Sequence, residues 1–391
     1  MVSREIVPNC TGCAACRNAC SLGAIELIAD SEGFVYPHVD QKKCVGCGKC
    51  AKSCPALNDS PVSGYFQPDV YAAWNRDTEI RVSSTSGGVF SALAQVIIAR
   101  GGYVAGAFYS DDFRICHGVI SSMDEIPHLR QSKYAQSWIG DTFQTIKKLL
   151  KSEKIVLFCG TPCQSAGLQQ FLGKEYENLY CCDFICRGVV SPKVYQKFLQ
   201  DMKPDQSVQL QTVHFKNKDF GWNRFSTKLT FGDGSIYHKN RDEDYYMRGY
   251  LRHNLYLRPS CHRCEYKTLP RISDLSLGDF WGIGNYDPSL DNEQGTSVIL
   301  VNSNKGRELM DLVQDSLVLH KRCLEEVIAG NSCLLHVAQP GQYRDFFFKK
   351  MDTCRFDELI LMIDKKAQQV PLSAAIRQRL GSLKRRLLKG R

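Results

Sequence analysis

The chain of 391 residues has no apolar run long enough to cross a bilayer; the longest, such as Val89 to Ala99, falls well short of the roughly 20 residues a transmembrane helix takes. Met1 to Asn9 show neither a charged leader nor an apolar stretch, so no secretion signal is expected. No G-x-G-x-x-G follows a strand pattern, which leaves ordinary Rossmann nicotinamide binding without support. Low-complexity segments are absent, and no nucleic-acid-binding motif is present. Neither sign of charge dominates: 50 Lys and Arg against 41 Asp and Glu give a net +9, so placement matters more than size. Cysteine, by contrast, is abundant. Nineteen of them without a secretion route point to a reducing cytoplasm and to metal-bound thiolates.

Eight of these cysteines stand as two copies of one spacing, Cys10, Cys13, Cys16, Cys20 and then Cys44, Cys47, Cys50, Cys54, the second followed by Pro55. A C-x2-C-x2-C-x3-C run, twice, marks a bacterial two-cluster ferredoxin, in which three thiolates of one run and the last thiolate of the other hold each 4Fe-4S cube. One cluster is therefore expected on Cys10, Cys13, Cys16 and Cys54, the other on Cys44, Cys47, Cys50 and Cys20. Tight turns eased by Gly12, Gly46 and Gly48 cap only three corners of a cube, and the fourth must come from elsewhere. Structural zinc favours two well-separated C-x2-C pairs, and cysteines this close are poorly placed to bridge one another. The first run ends in Ser21 where the pattern has proline, a change expected to move backbone and not ligation.

After the cluster module (1–58), a polar linker rich in Pro and Gly is expected over 59–68. The pattern then alternates: strands at Val70–Trp74, Gly102–Tyr109, Ile155–Phe158 and Leu179–Phe184, helices at Gly88–Arg100, Thr142–Leu150 and Cys163–Leu172. This predicts an α/β domain over 69–335, a mixed sheet covered by helices, behind a small α+β ferredoxin domain. Alternating segments at Val213–Phe215 and Phe225–Phe231, joined by Gly232-Asp233-Gly234 as a hairpin signal, read as a β insertion over about 207–240. Ser297–Asn302 returns to strand and Glu308–Leu317 to helix, and a helical extension is expected at 336–371. In the last stretch, 372–391, seven Arg or Lys stand without an acid, while Ile376, Leu380, Leu383 and Leu387 share one helical face. That describes a basic amphipathic helix able to lie on the inner membrane face, or an ordinary solvated tail.

Four further cysteines sit at expected strand ends and turns. Cys163 follows Cys159-Gly160-Thr161-Pro162, Cys186 lies in Asp183 to Pro192, and Cys261 and Cys264 form a C-x2-C turn before Arg271 and Asp274 to Gly282. Carboxyl ends of neighbouring strands converge in such sheets. A third 4Fe-4S cube on Cys163, Cys186, Cys261 and Cys264 is expected; zinc at Cys261 and Cys264, or ordinary buried thiols, are the alternatives. Cys116, Cys181, Cys182, Cys323, Cys333 and Cys354 are read as core or surface thiols.

Five ordered motifs, Ser84-Thr-Ser-Gly-Gly-Val-Phe90, Ser132-Lys-Tyr-Ala-Gln136, Val156 to Gln164, Asp183 to Pro192 and Cys261 to Gly282, resemble the coenzyme F420 hydrogenase/dehydrogenase beta subunits over about residues 68–320. The family includes subunits that oxidise reduced deazaflavin, a reductase of a chlorophyll intermediate, and many bacterial members of unknown partner. The resemblance implies FAD beside a 4Fe-4S cluster. Ser84, Thr85, Ser86, Gly87 and Gly88 ahead of a helix suit a diphosphate; Lys133 offers a charge for phosphate, Ser132, Tyr134 and Gln136 line the cofactor, and Gly160 and Thr161 open a second helix. Where relatives often carry His after the cysteine of the Asp183 motif, this chain has Arg187, a candidate with Asp183 for the catalytic side and a candidate partner of Asp183 or Asp279. His214, His238 and His253 are further proton-donor candidates.

The expected function is a cytoplasmic iron–sulfur flavoprotein oxidoreductase. FAD would convert between a hydride partner, an organic substrate or deazaflavin, and single electrons carried by cubes from a ferredoxin or other redox protein. The rival reading is a non-catalytic electron-transfer subunit docked on a partner enzyme, one version of which serves cell-surface polysaccharide synthesis. Oligomerisation is left open.

Overall fold

The computed structural model describes residues 2–58 and 65–369; the basic stretch 372–391 and residues 59–64 of the linker lie outside the described residues. The N-terminal module is built on a two-stranded hairpin, β1 (Ile25–Ala29) and β2 (Val35–Val39), antiparallel with Ile25 opposite Val39. A short helix, Ala15–Ala19, lies inside the first cysteine run, and another, Lys49–Lys52, inside the second.

The larger part is a mixed sheet of eight strands flanked by helices. Its strands in chain order are β3 (Asp69–Asn75), β4 (Tyr103–Tyr109), β5 (Ile115–Ile120), β6 (Val156–Cys159), β7 (Leu179–Phe184), then, beyond the insertion, β11 (Leu275–Asp279), β12 (Ser297–Val301) and β13 (Leu317–Arg322). Across the sheet the order is β13-β3-β12-β11-β7-β6-β4-β5; β4, β6, β7 and β11 run parallel to their neighbours in that set, and the other pairs are antiparallel. Central strands covered on both faces need continuous apolar runs. Val156-Leu-Phe158 and Ser297-Val-Ile-Leu-Val301 meet that demand, and all of these residues are buried.

Helices Val89–Ala99 and Asn304–Val313 share one core with the sheet, and helices Thr142–Lys151 and Pro162–Leu172 share another. The insertion forms its own antiparallel sheet, β8 (Leu210–Asn217), β9 (Ser226–Phe231) and β10 (Ile236–Asn240), ordered β10-β9-β8. Its inner residues Val213, Phe215, Leu229 and Phe231 pack into one core with Val194 and Phe198 and with Phe347, Phe356, Leu359 and Ile363 from the two C-terminal helices, Arg344–Met351 and Phe356–Gln368. The helices after residue 336 thus complete the hydrophobic cover of the insertion.

Two readings of the pattern are corrected. The Gly232–Gly234 turn links β9 to β10, and β8 reaches β9 through a separate loop. Leu317 does not end a helix; it opens β13, which hydrogen-bonds to β3 at the sheet edge, after the preceding helix stops at Val313. The apolar spacing Leu309, Val313, Leu317 satisfies a helix period by sequence, but Leu317 is buried from the strand side.

Candidate functional site

Cys10, Cys13, Cys16 and Cys54 line one cavity of the N-terminal module, together with Val2, Val7 and Leu27. Cys20, Cys44, Cys47 and Cys50 line a second, with Leu22, Ile25 and Val45. The last cysteine of each run has crossed to the other set, as the spacing requires. Positive φ at Gly12 (70°), Gly46 (69°) and Gly48 (73°) turns the chain between thiols, and Ala14 joins them at 62°. Burial pushes the Cys13 thiol up to about 12, with Cys10 and Cys54 adding repulsion, and raises Cys16 well above its ordinary range. Burial thus favours the neutral thiols of Cys13 and Cys16, and a metal bound there would supply the positive charge that ionises them.

A third set converges in the larger domain. Cys163 stands in the first turn of helix Pro162–Leu172, which Thr161 caps by accepting from the Gln164 N–H while the Gln164 side chain accepts from the Thr161 N–H at 2.9 Å. Cys186 follows β7, and Cys261 and Cys264 lie in and just beyond the short turn Pro259–Arg263. Each of the six pairings among these thiols is close enough for mutual electrostatic repulsion. Burial, then that repulsion, raises Cys163, and burial lifts Cys186 and Cys261 to about 12, Cys186 against the pull of Lys267. Among the described residues no three Cys, His, Asp or Glu side chains close on a single ion.

The third set adjoins the first. Cys163 lies within electrostatic reach of Cys13, and a Cβ placed on Gly167, one turn along the same helix, would stand 2.8 Å from the Cys13 sulfur. Arg258 joins the two sets from within: it is 0 % exposed, donates from Nε to the Cys10 carbonyl (2.9 Å), from Nη1 to Gln136 Oε1 (2.8 Å) and from Nη2 to the Val35 carbonyl (2.9 Å), and its own carbonyl accepts from the Cys261 N–H. Its guanidinium lies over Tyr36, 4.5 Å from the ring centroid, and among the described residues no carboxylate is bonded to it. Arg17 bonds Asp141 at 2.6 Å and the Gly140 carbonyl at 3.0 Å, and Gln144 donates twice to Asn18, from its backbone N–H to Oδ1 (3.3 Å) and from its side-chain amide to the carbonyl (3.1 Å), which fixes the module against helix Thr142–Lys151.

The residues expected to hold a dinucleotide gather only in part. Thr85 Oγ1 accepts from the Ser132 N–H at 2.7 Å, so the two motifs do meet. The Ser84 hydroxyl, however, donates to the Ile80 carbonyl and that of Ser86 to the Thr296 carbonyl. A Cβ on Gly87 would strike the Ala73 carbonyl at 2.3 Å, so Gly87 serves packing against β3; Gly88, at φ 84°, starts helix Val89–Ala99. Gln136 is engaged elsewhere, its amide donating to the Thr11 carbonyl at 3.0 Å, because Arg258 and the first cysteine loop take both ends of it. Gly160 backs onto Phe158, and Thr161 Oγ1 sits 3.1 Å from the Cys163 sulfur, beside the third thiol set.

Lys133 has its ammonium enclosed, bonded to the Arg130 and Gln131 carbonyls at 2.8 and 3.2 Å, and burial brings it down to about 7. Around it stand Tyr109, whose ring centroid is 5.3 Å from Nζ, and His117, which burial brings down to about 4. The Tyr109 hydroxyl and His117 Nδ1 are buried with no hydrogen-bond partner among the described residues. Tyr134 is packed edge-on to Tyr250 and lies within electrostatic reach of Tyr109, Asp279 and Cys186, which places this cluster of side chains beside the third thiol set. Tyr109 and His117 escaped sequence reading, since neither sits in a motif.

The two catalytic-side candidates, Asp183 and Arg187, bond different partners. Asp183 is fully buried and accepts from Arg271 Nη2 at 2.9 Å, while Asp279 takes Lys216 at 2.7 Å and Trp222 Nε1 at 3.0 Å. Arg187 pairs with neither; it bonds the Asn254 side chain and the Leu251 carbonyl and lies over Tyr250. Of the histidines, His214 bonds Gln131 at 2.6 Å, near Lys133, whereas His238 bonds Ser226 and His253 bonds Asp364.

Residues 9–58 match the 4Fe-4S dicluster domain, and residues 153–326 match the C terminus of the coenzyme F420 hydrogenase/dehydrogenase beta subunit. The fold and thiol sets together define an iron–sulfur electron-transfer protein. More particularly, the chain joins a segment similar to a 4Fe-4S dicluster domain to one similar to the C terminus of the F420 hydrogenase/dehydrogenase beta subunit. A chain of the F420-reducing NiFe hydrogenase complex from Methanosarcina barkeri is similar at 15% identity over 79% of this chain and 96% of that one, with a TM-score of 0.45, a likeness too loose to argue from. No curated protein matches. Among the described residues no helix is long and apolar enough to cross a membrane.

Proposed function

We propose that the protein is an oxidoreductase that carries electrons through three 4Fe-4S cubes to a flavin site centred on Lys133 and Tyr134. The observation that carries this reading is the contact of helix Pro162–Leu172 with Cys13, which sets the third thiol group directly beside the first. The cubes would take Cys20, Cys44, Cys47 and Cys50, then Cys10, Cys13, Cys16 and Cys54, then Cys163, Cys186, Cys261 and Cys264.

FAD, when bound, exchanges hydride with an organic partner and single electrons with a cube. The unpartnered Tyr109 hydroxyl and His117 Nδ1 fit a polar ring edge, and Tyr134 and Tyr250 present aromatic surface. Lys133 Nζ, held near neutrality by enclosure, is suited to take or give a proton at working pH. Arg258 keeps a fixed positive charge between two cubes, which favours their reduced forms. The partner is an organic substrate or a deazaflavin-type coenzyme, the setting cytoplasmic.

Protein purified without oxygen should contain about twelve irons per chain and release FAD identified by mass; about eight irons would remove the third cube. One observation favours a relay without its own flavin: the Ser84 and Ser86 hydroxyls are engaged internally and leave less of a diphosphate cradle than the motif suggests. A preparation with its full iron and no extractable flavin would select that reading. Flavin that reduces with deazaflavin hydride but not with reduced ferredoxin would reverse the proposed electron flow.

A further inference from the structure

The second cysteine cavity opens to solvent. Cys47 is exposed, and beside it Val45 and Leu22, both lining the same cavity, are 72 % and 52 % exposed. Large apolar side chains so placed around a redox centre leave it uncovered on one side. The stretch around them is one-signed: from Gln41 to Asn58 there are four lysines, Lys42, Lys43, Lys49 and Lys52, all exposed, and no acid, with Asp40 just before the stretch and Asp59 just after it in sequence. Asp40 bonds the Lys42 N–H and lies 3.4 Å from Lys43, so one of the four is partly compensated. The first cysteine set has no such face, since helix Pro162–Leu172 and Arg258 cover it.

We infer that this lysine-rimmed apolar face is the docking surface for an acidic one-electron carrier protein, an inference that rests on the presence of the Cys20, Cys44, Cys47, Cys50 cube. Charge complementarity selects the partner. A small apolar centre in a ring of like charge recruits a weakly bound protein of opposite charge, with the charges setting the rate of encounter and the apolar contact the lifetime. Electron transfer falls steeply with distance, and this cube is the one a carrier approaches without crossing protein. Electrons entering here pass inward to the first set and then to the third.

The test uses the full-length, cluster-loaded protein and stopped-flow reduction by two donors, an acidic ferredoxin and methyl viologen radical. The variant Lys42→Glu/Lys43→Glu/Lys49→Glu/Lys52→Glu should accept electrons from ferredoxin at least about tenfold more slowly at low salt, and the gap should close at about 1 M salt, where the screening length is about 3 Å. Viologen, a cation, should reduce it no more slowly than wild type. Leu22→Ser/Val45→Ser should weaken ferredoxin binding with the salt dependence unchanged. A control with equal charge change, Lys349→Glu/Lys350→Glu/Lys365→Glu/Lys366→Glu, reverses lysines on the C-terminal helices and should leave the ferredoxin rate within about twofold. Equal slowing in both quadruple variants, no slowing in the first, or loss of binding to phosphatidylglycerol vesicles with the ferredoxin rate intact would each overturn the docking assignment. Failure of viologen to reduce the wild-type module at all would instead remove the cube, and with it the underlying reading.

Discussion

The two cysteine runs have the same spacing and opposite surroundings. In the first, Cys13, Ala14 and Ala15 are buried in a core shared with Phe143, Phe158 and Leu168 of the larger domain, whereas in the second Val45, Cys47 and Lys49 face solvent. The difference lies between the cysteines. Thr11-Gly12 and Ala14-Ala15 are small enough for a helix and an arginine to close over them; Val45-Gly46 and Gly48-Lys49 include a bulky apolar group and a charge that nothing covers. One spacing thus serves an inner and an outer station, and the intervening residues decide which.

The largest expected contrast comes from losing a ligand on each side. Cys13→Ser and Cys47→Ser should each cost about four irons, but Cys13→Ser should also lower stability by about 3 kcal/mol more, because it strips a shared core as well as a cube; denaturant midpoints and iron quantitation check this. Equal midpoints would dissolve the distinction between embedded and exposed runs.

Next is Arg258. Replacing it by Met leaves the Cys10 and Val35 carbonyls and Gln136 Oε1 without their donor, so about 2–4 kcal/mol should be lost. The reduction potential of the adjoining cube, followed by EPR titration, should move to more negative values as the buried positive charge goes. Lys49→Met, on the outer run, should stay within about 0.5 kcal/mol of wild type.

Gly167 offers a smaller test. A valine there meets the Cys13 sulfur and should cost about 1–3 kcal/mol by overpacking. Gly48→Ala has open space around it but a φ of 73°, so backbone strain alone should cost about 1 kcal/mol. Thermal unfolding of the two variants separates contact from strain.

The smallest effect is a slope. Enclosure lowers Lys133 to about 7, so the unfolded chain holds that proton to higher pH than the folded one. The folded state carries the full penalty of the charge below pH 7 and sheds it as pH rises toward about 10. The stability of wild type relative to Lys133→Met should therefore increase from about pH 7 to 10 in urea titrations.

Much of the α/β frame was legible because strands such as Val156–Cys159 and Leu179–Phe184 carry their burial in largely apolar runs, and because Thr161-Pro162 and Gly173 mark both ends of a helix. Leu317 misled, since a residue three or four places from its apolar neighbours suits helix and strand alike until its partner strand is known. Gln136 misled for a different reason: a motif residue beside Lys133 and Tyr134 in sequence turns its amide away from them, toward Thr11.

The kind of metal centre in the N-terminal module was determined by sequence alone, because the thiols of each run follow one another at two- and three-residue intervals, where turn geometry leaves few arrangements. Only the tertiary structure decided that Cys163, Cys186, Cys261 and Cys264 form one group beside Cys13, that Arg258 lies buried between the two, and that one cysteine run faces inward and the other outward. These depend on strand ends and turns brought together from distant parts of the chain, and on which surfaces are left uncovered once the core has closed.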